Sequence, residues 1–259
     1  MDMRIDAHVH GDLSRLKVTP REYVEQCRQR RIEKVVLIQD PEPTMEAYRA
    51  MPDFIIPVPW VDIDTVTVRE INEILDGGAV GIKFIDPQFS YGDTRYDPLY
   101  AAVSAKGKVV MFHTGYLAMG VFERARPTDI RNMSPAAVDC MSRRHPDLKI
   151  LMAHFGNPWW EEAWKIMWSV PNVYAELSGG TAFKRSIRMW AEIFAPNGVL
   201  DEESLGKVLY ASDVSVFREN EGFEPYFEFY DKLFDAVGAS EEMRERVNRG
   251  NARMLFGVE

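Results

Sequence analysis

The chain has five histidines in 259 residues, and four of them stand at the ends of short apolar runs. His8 and His10 close "RIDAHVH", His113 closes "KVVMFH", and His154 follows "KILMA". Asp213 stands in the same way after "KVLYAS", and Lys83 lies inside "GIKFID". Neutral imidazoles together with a carboxylate are the donors that zinc and similar borderline divalent ions take. An ion with an open position lowers the pKa of water to about 7 and polarises a carbonyl, so the chemistry in view is hydrolytic. Taken singly, each signal is weak: a lone HxH is more often a surface or core feature, and a lone strand-end Asp is often a helix cap. They gain meaning only if one fold brings all these run-ends to one place.

The elements that would do so are legible. Eight β-branched runs recur at 4–10, 34–40, 54–62, 79–86, 108–115, 149–156, 172–180 and 207–215. Several are apolar on consecutive positions, as suits parallel strands covered on both faces. Between them lie helix starts of the cap-then-proline kind: Thr19-Pro20, Asp97-Pro98, Ser134-Pro135 and Asn157-Pro158. Segments 64–76, 182–194 and 240–249 also read as helices, with Thr181 as a cap for the second. Strand–helix alternation repeated eight times predicts an α/β chain of one domain, residues 1–259, folded as a (β/α)8 TIM barrel. An open doubly wound sheet finds no Gly-rich phosphate loop after the first strand.

In such a barrel His8 and His10, at i and i+2, face the same way, inward at the mouth. His113, His154 and Asp213 end strands five, six and eight, and Lys83 lies in strand four. Burying so many ionisable groups together without an ion is costly, so the joint pattern reads as a metal site. His145, in "RRHPDLK", falls on the opposite rim and reads as an exposed helix-end residue. The longer connections 87–96 and 116–133 both follow strand C-termini, on the active-site face. Candidate substrate readers there are Tyr91, Arg95, Tyr116, Arg124, Arg126, Arg131, Trp159, Trp160 and Arg218, with Arg95, Tyr116, Arg131 and Trp159 put first. The arginines suit a carboxylate clamp. Met167, Met189 and Phe194 read as core.

A formal charge of −9 and a pI near 5.2 argue against nucleic acid as partner. Two cysteines, Cys27 and Cys140, imply no disulfide framework and a reducing compartment. The start of the chain is unlike a signal peptide, and the run "FIIPVPWV" is too short to span a bilayer. The expectation is a cytoplasmic protein acting on a small molecule, without a membrane partner and possible as a homo-oligomer.

The motifs "DAHVH", "GIKFIDP", "VVMFHTG", "HPDLKILMAHFG", "VYAELSG", "LYASDV" and "GNARMLFG" together resemble the amidohydrolase superfamily along the whole chain, in its amidohydrolase family 2 branch. The resemblance implies a distorted barrel holding one or two divalent metals, zinc being the expected ion and one the favoured count. It makes His8, His10, His113 and Asp213 ligands, and His154 either a catalytic residue beside the metal or a ligand to a second one. Lys83 would be carboxylated between two ions or an ordinary lysine beside one. On that footing Asp213 takes a proton from water and passes it to the leaving group, while His154 orients the water or stabilises an oxyanion. The implied activity is a metal-dependent hydrolase for an amide, lactone or ester of a small, carboxylated substrate. The alternative is a decarboxylase of an aromatic or enoic acid. Such relatives often carry a glutamate in the first-strand motif, where this chain has Asp6, which tilts the reading toward hydrolysis. A metal-binding barrel without catalysis is the third reading, and the complete donor set argues against it.

Overall fold

A computed structural model describes residues 3–118, 128–179, 182–218 and 220–259. Its strands are β1 (Arg4–Gly11), β2 (Ile32–Leu37), β3 (Ile55–Pro57), β4 (Gly81–Phe84) and β5 (Val109–His113). They continue with β6 (Lys149–Ala153), β7 (Val173–Glu176), β8 (Val208–Leu209) and β9 (Val214–Val216). All pairs are parallel, in the orders β3-β2-β1-β9 and β4-β5-β6-β7-β8. Backbone hydrogen bonds outside the ladders join the two sheets at both seams. Lys83 N donates to Pro59 O at 2.9 Å beside β3, and Ala7 N donates to Tyr210 O at 2.9 Å beside β8. The ring of the expected (β/α)8 barrel is thereby complete, with β8 and β9 as two halves of the eighth strand. The third strand is much shorter than the run 54–62, because Pro57 and Pro59 have no N–H for a ladder.

The barrel interior is filled by Ile5, Ala7, Val36, Ile38, Ile56, Val58, Val109, Met111, Leu151, Ala153, Leu209 and Ala211. Ala252, Leu255 and Phe256 of the last helix close this core from below. That helix is tied to the strand starts, since Asn251 Nδ2 donates to Gly206 O and Val208 O. The outward residues of the same strands, such as Val35, Leu37, Ile82, Phe84, Val110 and Phe112, pack under the helices. With its floor sealed by apolar side chains, the barrel is open for polar chemistry only at the strand C-termini.

Several helix starts follow from the sequence as expected. Thr19 and Thr67 each form a reciprocal capping box with the glutamate three residues on, and Ser134 caps Pro135–Ser142. Others differ. Asp97 is the first helical residue rather than the cap, and its carboxylate is taken by Arg144 and His145. His145 is accordingly tucked in, with its side chain 14% exposed, rather than free at a helix end. Asn157 does not cap either; the helix begins at Trp160. Segment 182–194 is helical from Ile187, capped by Ser186, while Thr181 lies outside the described residues. Among the helices unannounced in the sequence are Pro41–Ala50 and the long Glu224–Val237. No described helix is long and apolar enough to cross a membrane.

Candidate functional site

Strict alternation along "RIDAHVH" would send Ile5, Ala7 and Val9 to one face and both histidines to the other. The structure departs from it. Asp6 pairs with Val35 and Val9 with Leu37, so β1 holds one extra residue between them. This bulge reverses the facing of the strand halfway along. Ile5 and Ala7 fill the barrel floor, Val9 packs outward under the helices, and His8 and His10 both turn into the mouth. Asp6, wholly buried, staples the bulge: its carboxylate accepts from His8 N (3.1 Å), Ser212 N (3.1 Å) and Ser212 Oγ (2.6 Å). Asp6 therefore faces Ser212 and does not line the cavity.

The other side chains arrive by different routes. His113 follows Val109 and Met111 inward by simple alternation. His154 would fall outward after Leu151 and Ala153, but its φ of 63° swings it into the mouth. Gly179 (φ 92°) makes room for it, since a Cβ there would lie 2.9 Å from His154 Nδ1. Asp213, also with φ 63°, sits at the break between β8 and β9, and its N donates to His8 O at 2.8 Å. Lys83 points inward from β4 and is 2% exposed.

Glu176, at the end of β7 and fully buried, organises the set. It is the main residue that the sequence reading missed. His8 Nδ1 lies 2.8 Å from Glu176 Oε1, and Ser178 Oγ donates to the same oxygen at 2.9 Å. His154 N and Ser178 N also donate to this carboxylate. With its one proton given to Glu176, Ser178 Oγ acts as acceptor toward His8 Nδ1 (3.2 Å) and His154 Nδ1 (3.1 Å). The network thus assigns the proton of both rings to Nδ1. His10 Nδ1 likewise meets Ile38 O at 2.8 Å, and His113 Nε2 meets Tyr116 O at 3.4 Å.

What remains is a group of lone pairs aimed at one another. His8 Nε2 and His10 Nε2 are 3.2 Å apart, and Asp213 Oδ1 lies 3.4 Å from the first and 3.2 Å from the second. His154 Nε2 faces His113 Nδ1 at 3.1 Å. Lys83 Nζ, 3.5 Å from His8 Nε2, is the single described cation beside them. Five acceptors converging with so few donors fit a bound cation, and His8, His10 and Asp213 are spaced as a group able to hold one. Burial keeps the rings neutral: His8 and His113 titrate well below the usual imidazole range, and His154 is brought down to about 4. Burial raises the Asp213 carboxyl; protonated His8 and His10 would hold it well below the usual carboxylate range, and with both rings neutral a bound cation has to take that part. Burial brings Lys83 down to about 8 and pushes Glu176 up.

These groups line a cavity of about 620 Å³, with Ile38, Trp60, Ile85 and Leu117 as apolar walls. Of the expected substrate readers, Tyr116 lines it and is 62% exposed. Arg95, Arg131 and Trp159 do not. Arg95 pairs with Asp93 and stacks on Phe89, Arg131 pairs with Asp129, and Trp159 belongs to an outer groove with Trp160, Trp164 and Met189. Tyr91 is buried against Phe112, and Arg218 Nε donates to Ser215 O. Arg124 and Arg126 lie outside the described residues.

The sequence matches the amidohydrolase family (Amidohydro_2) over residues 5–258, and the chain belongs to that family. No curated protein matches the sequence. Among solved structures, the fold is similar to an uncharacterised TIM-barrel protein of Bordetella bronchiseptica, at 18% identity, TM-score 0.69 and 98% of both chains. It is similar to 5-carboxyvanillate decarboxylase of Sphingomonas paucimobilis, at 13% identity, TM-score 0.68 and 100% of both chains. L-Hydantoinase of Arthrobacter aurescens is a further likeness, at 16% identity and TM-score 0.58, over 99% of this chain and 71% of that one.

Proposed function

We propose that this amidohydrolase is a zinc-dependent hydrolase of small amides, lactones or esters whose substrate carries a carboxylate. The observation that carries the reading is the convergence of unprotonated imidazole nitrogens and the Asp213 carboxylate on one cavity. His8, His10 and Asp213 would hold the ion, with His113 completing a nitrogen-rich set of the kind zinc takes. One ion is the better count. A second group, His8, His154 and Glu176, has suitable spacing. Its carboxylate, however, already accepts from His8, His154 and Ser178, so it is spent on orienting ligands rather than free to be one.

When bound, such an ion supplies Lewis acidity toward a substrate carbonyl and toward a water nucleophile. The chain supplies the rest. Asp213, held ionised, accepts the proton of the attacking water and returns it to the leaving group. His154, with its proton on Nδ1, offers a lone pair at Nε2, so it orients the water as an acceptor rather than stabilising an oxyanion.

The second reading, decarboxylation, is supported by the full-length likeness to the Sphingomonas enzyme. A screen of zinc-loaded protein against lactones, amides and carboxylated aromatics separates the two. Acid release without carbon dioxide supports hydrolysis; carbon dioxide release transfers the site to the lyase reading. On whichever substrate emerges, His154→Asn should keep its zinc and lose about 10²-fold in kcat/KM. Asp213→Asn should lose zinc and activity together. If His154→Asn shed half the metal of a two-metal protein, the one-ion mechanism would be wrong.

A further inference from the structure

Lys184 is a cavity residue that the hydrolytic reading leaves unused. It lies between β7 and the helix Ile187–Phe194, it is exposed, and it lines the same cavity as the histidines. Its basic neighbours are engaged elsewhere. The Arg185 guanidinium sits 5.0 Å from the ring centre of Trp160, and Arg188 pairs with Glu192 at 2.9 Å. Arg95 and Arg131, the arginines suited to hold a carboxylate, are bound to Asp93 and Asp129. Among the described residues Lys184 has no hydrogen bond, ion pair or ring contact.

The charge of the cavity runs against that of the chain. The protein carries −9 overall, yet the lysine and carboxylate side chains lining this cavity are Lys83, Lys184 and Asp213. A divalent ion would make the cavity more positive still. The two lysines also differ in depth: Lys83 is buried beside His8, whereas Lys184 is exposed. A substrate engaged by both ends of this cavity must place its reacting carbonyl deep and an anionic group at the rim, with an apolar body along Trp60, Ile85 and Leu117.

Resting on the hydrolase reading, we infer that Lys184 is the specificity residue that reads a carboxylate distal to the scissile bond. The substrate class is then an ester, amide or lactone with a short apolar body and a terminal carboxylate. The charge-assisted bond explains why no arginine clamp is needed in the described part of the mouth.

The test uses the zinc-loaded full chain and two esters of equal length, mono-4-nitrophenyl glutarate and 4-nitrophenyl valerate. Wild type should prefer the glutarate. In Lys184→Gln the ratio of the two kcat/KM values should fall about tenfold, carried mainly by KM. Lys184→Glu should invert the preference, Lys184→Arg should restore it, and Arg185→Gln should leave it as in wild type. Calorimetric titration with glutarate gives a readout free of turnover, with about tenfold weaker binding expected for Lys184→Gln. If wild type cleaves neither ester but binds glutarate through Lys184, the hydrolase reading falls and the anion reader stands. If wild type binds no glutarate, or if the Gln and Glu variants match wild type in both assays, the inference is overturned.

Discussion

At the start of β1, Arg4 is 1% exposed and lies among acceptors that the chain itself supplies. Its guanidinium meets Asn248 Oδ1 at 3.1 Å, the Asp231 carboxylate, and the ring faces of Tyr210 and Phe227. At the other end of the same strand, His8 and His10 meet further lone pairs: each other's Nε2 and Asp213 Oδ1. Both ends bury polar groups at a cost that only partners offset. Below, a cation is surrounded by complementary groups, and the cluster is a joint that holds the last helices to the barrel. Above, five lone pairs converge with Lys83 Nζ as the single described cation beside them, and a further cation fits there from outside the chain. The balance of donors and acceptors, rather than burial itself, separates the structural cluster from the functional one.

The sharpest way to break this comparison is to remove the lone pairs. Replacing both His8 and His10 by Ala should abolish zinc binding and lower kcat/KM by about 10³-fold or more. Chelation of the wild type should do the same, reversibly. Metal content that stays at one per chain in the double variant would refute the assignment. Glu176→Gln should act more mildly. All of its described partners donate to it, so an amide must set an N–H against an N–H, and metal affinity should fall about 10- to 100-fold. Unchanged affinity would mean that the ligand rings are oriented by packing alone. The smallest effect on the site should come from Arg4→Met. It should cost about 2 kcal/mol in urea unfolding by leaving Asn248 Oδ1 buried without its donor. Zinc content and turnover per folded molecule should match wild type; loss of zinc would show that the two ends are coupled.

The barrel was legible because its eight apolar runs and their turns repeat, and the run-ends named the cavity's histidines, Lys83 and Asp213. Other features were hidden for physical reasons. The bulge in β1 leaves no mark on a sequence whose apolar and polar residues alternate without interruption. The turn of His154 into the mouth depends on a left-handed backbone that a histidine does not announce. Glu176 had a signal that went unread: a single acid inside "VYAELSGG", a run of strand residues where an unpartnered carboxylate would be costly. The misplaced arginines had one too, since Arg95 and Arg131 each follow an aspartate by two residues and pair with it. The helix Glu224–Val237 escaped because its buried stripe is built largely of Tyr and Phe, residues that favour strands as readily as helices.

The two histidines of the first motif are steadied by partners of different heritability. The His8 ring rests on the side chain of Glu176, which a single substitution can weaken, neutralise or remove. The His10 ring rests on the main-chain carbonyl of Ile38, which every amino acid at that position provides. Variation can therefore retune the electron-donating strength of one proposed ligand while the other stays fixed. A search for variants with altered metal preference or basicity has its dial at position 176, and an invariant reference two residues along the same strand.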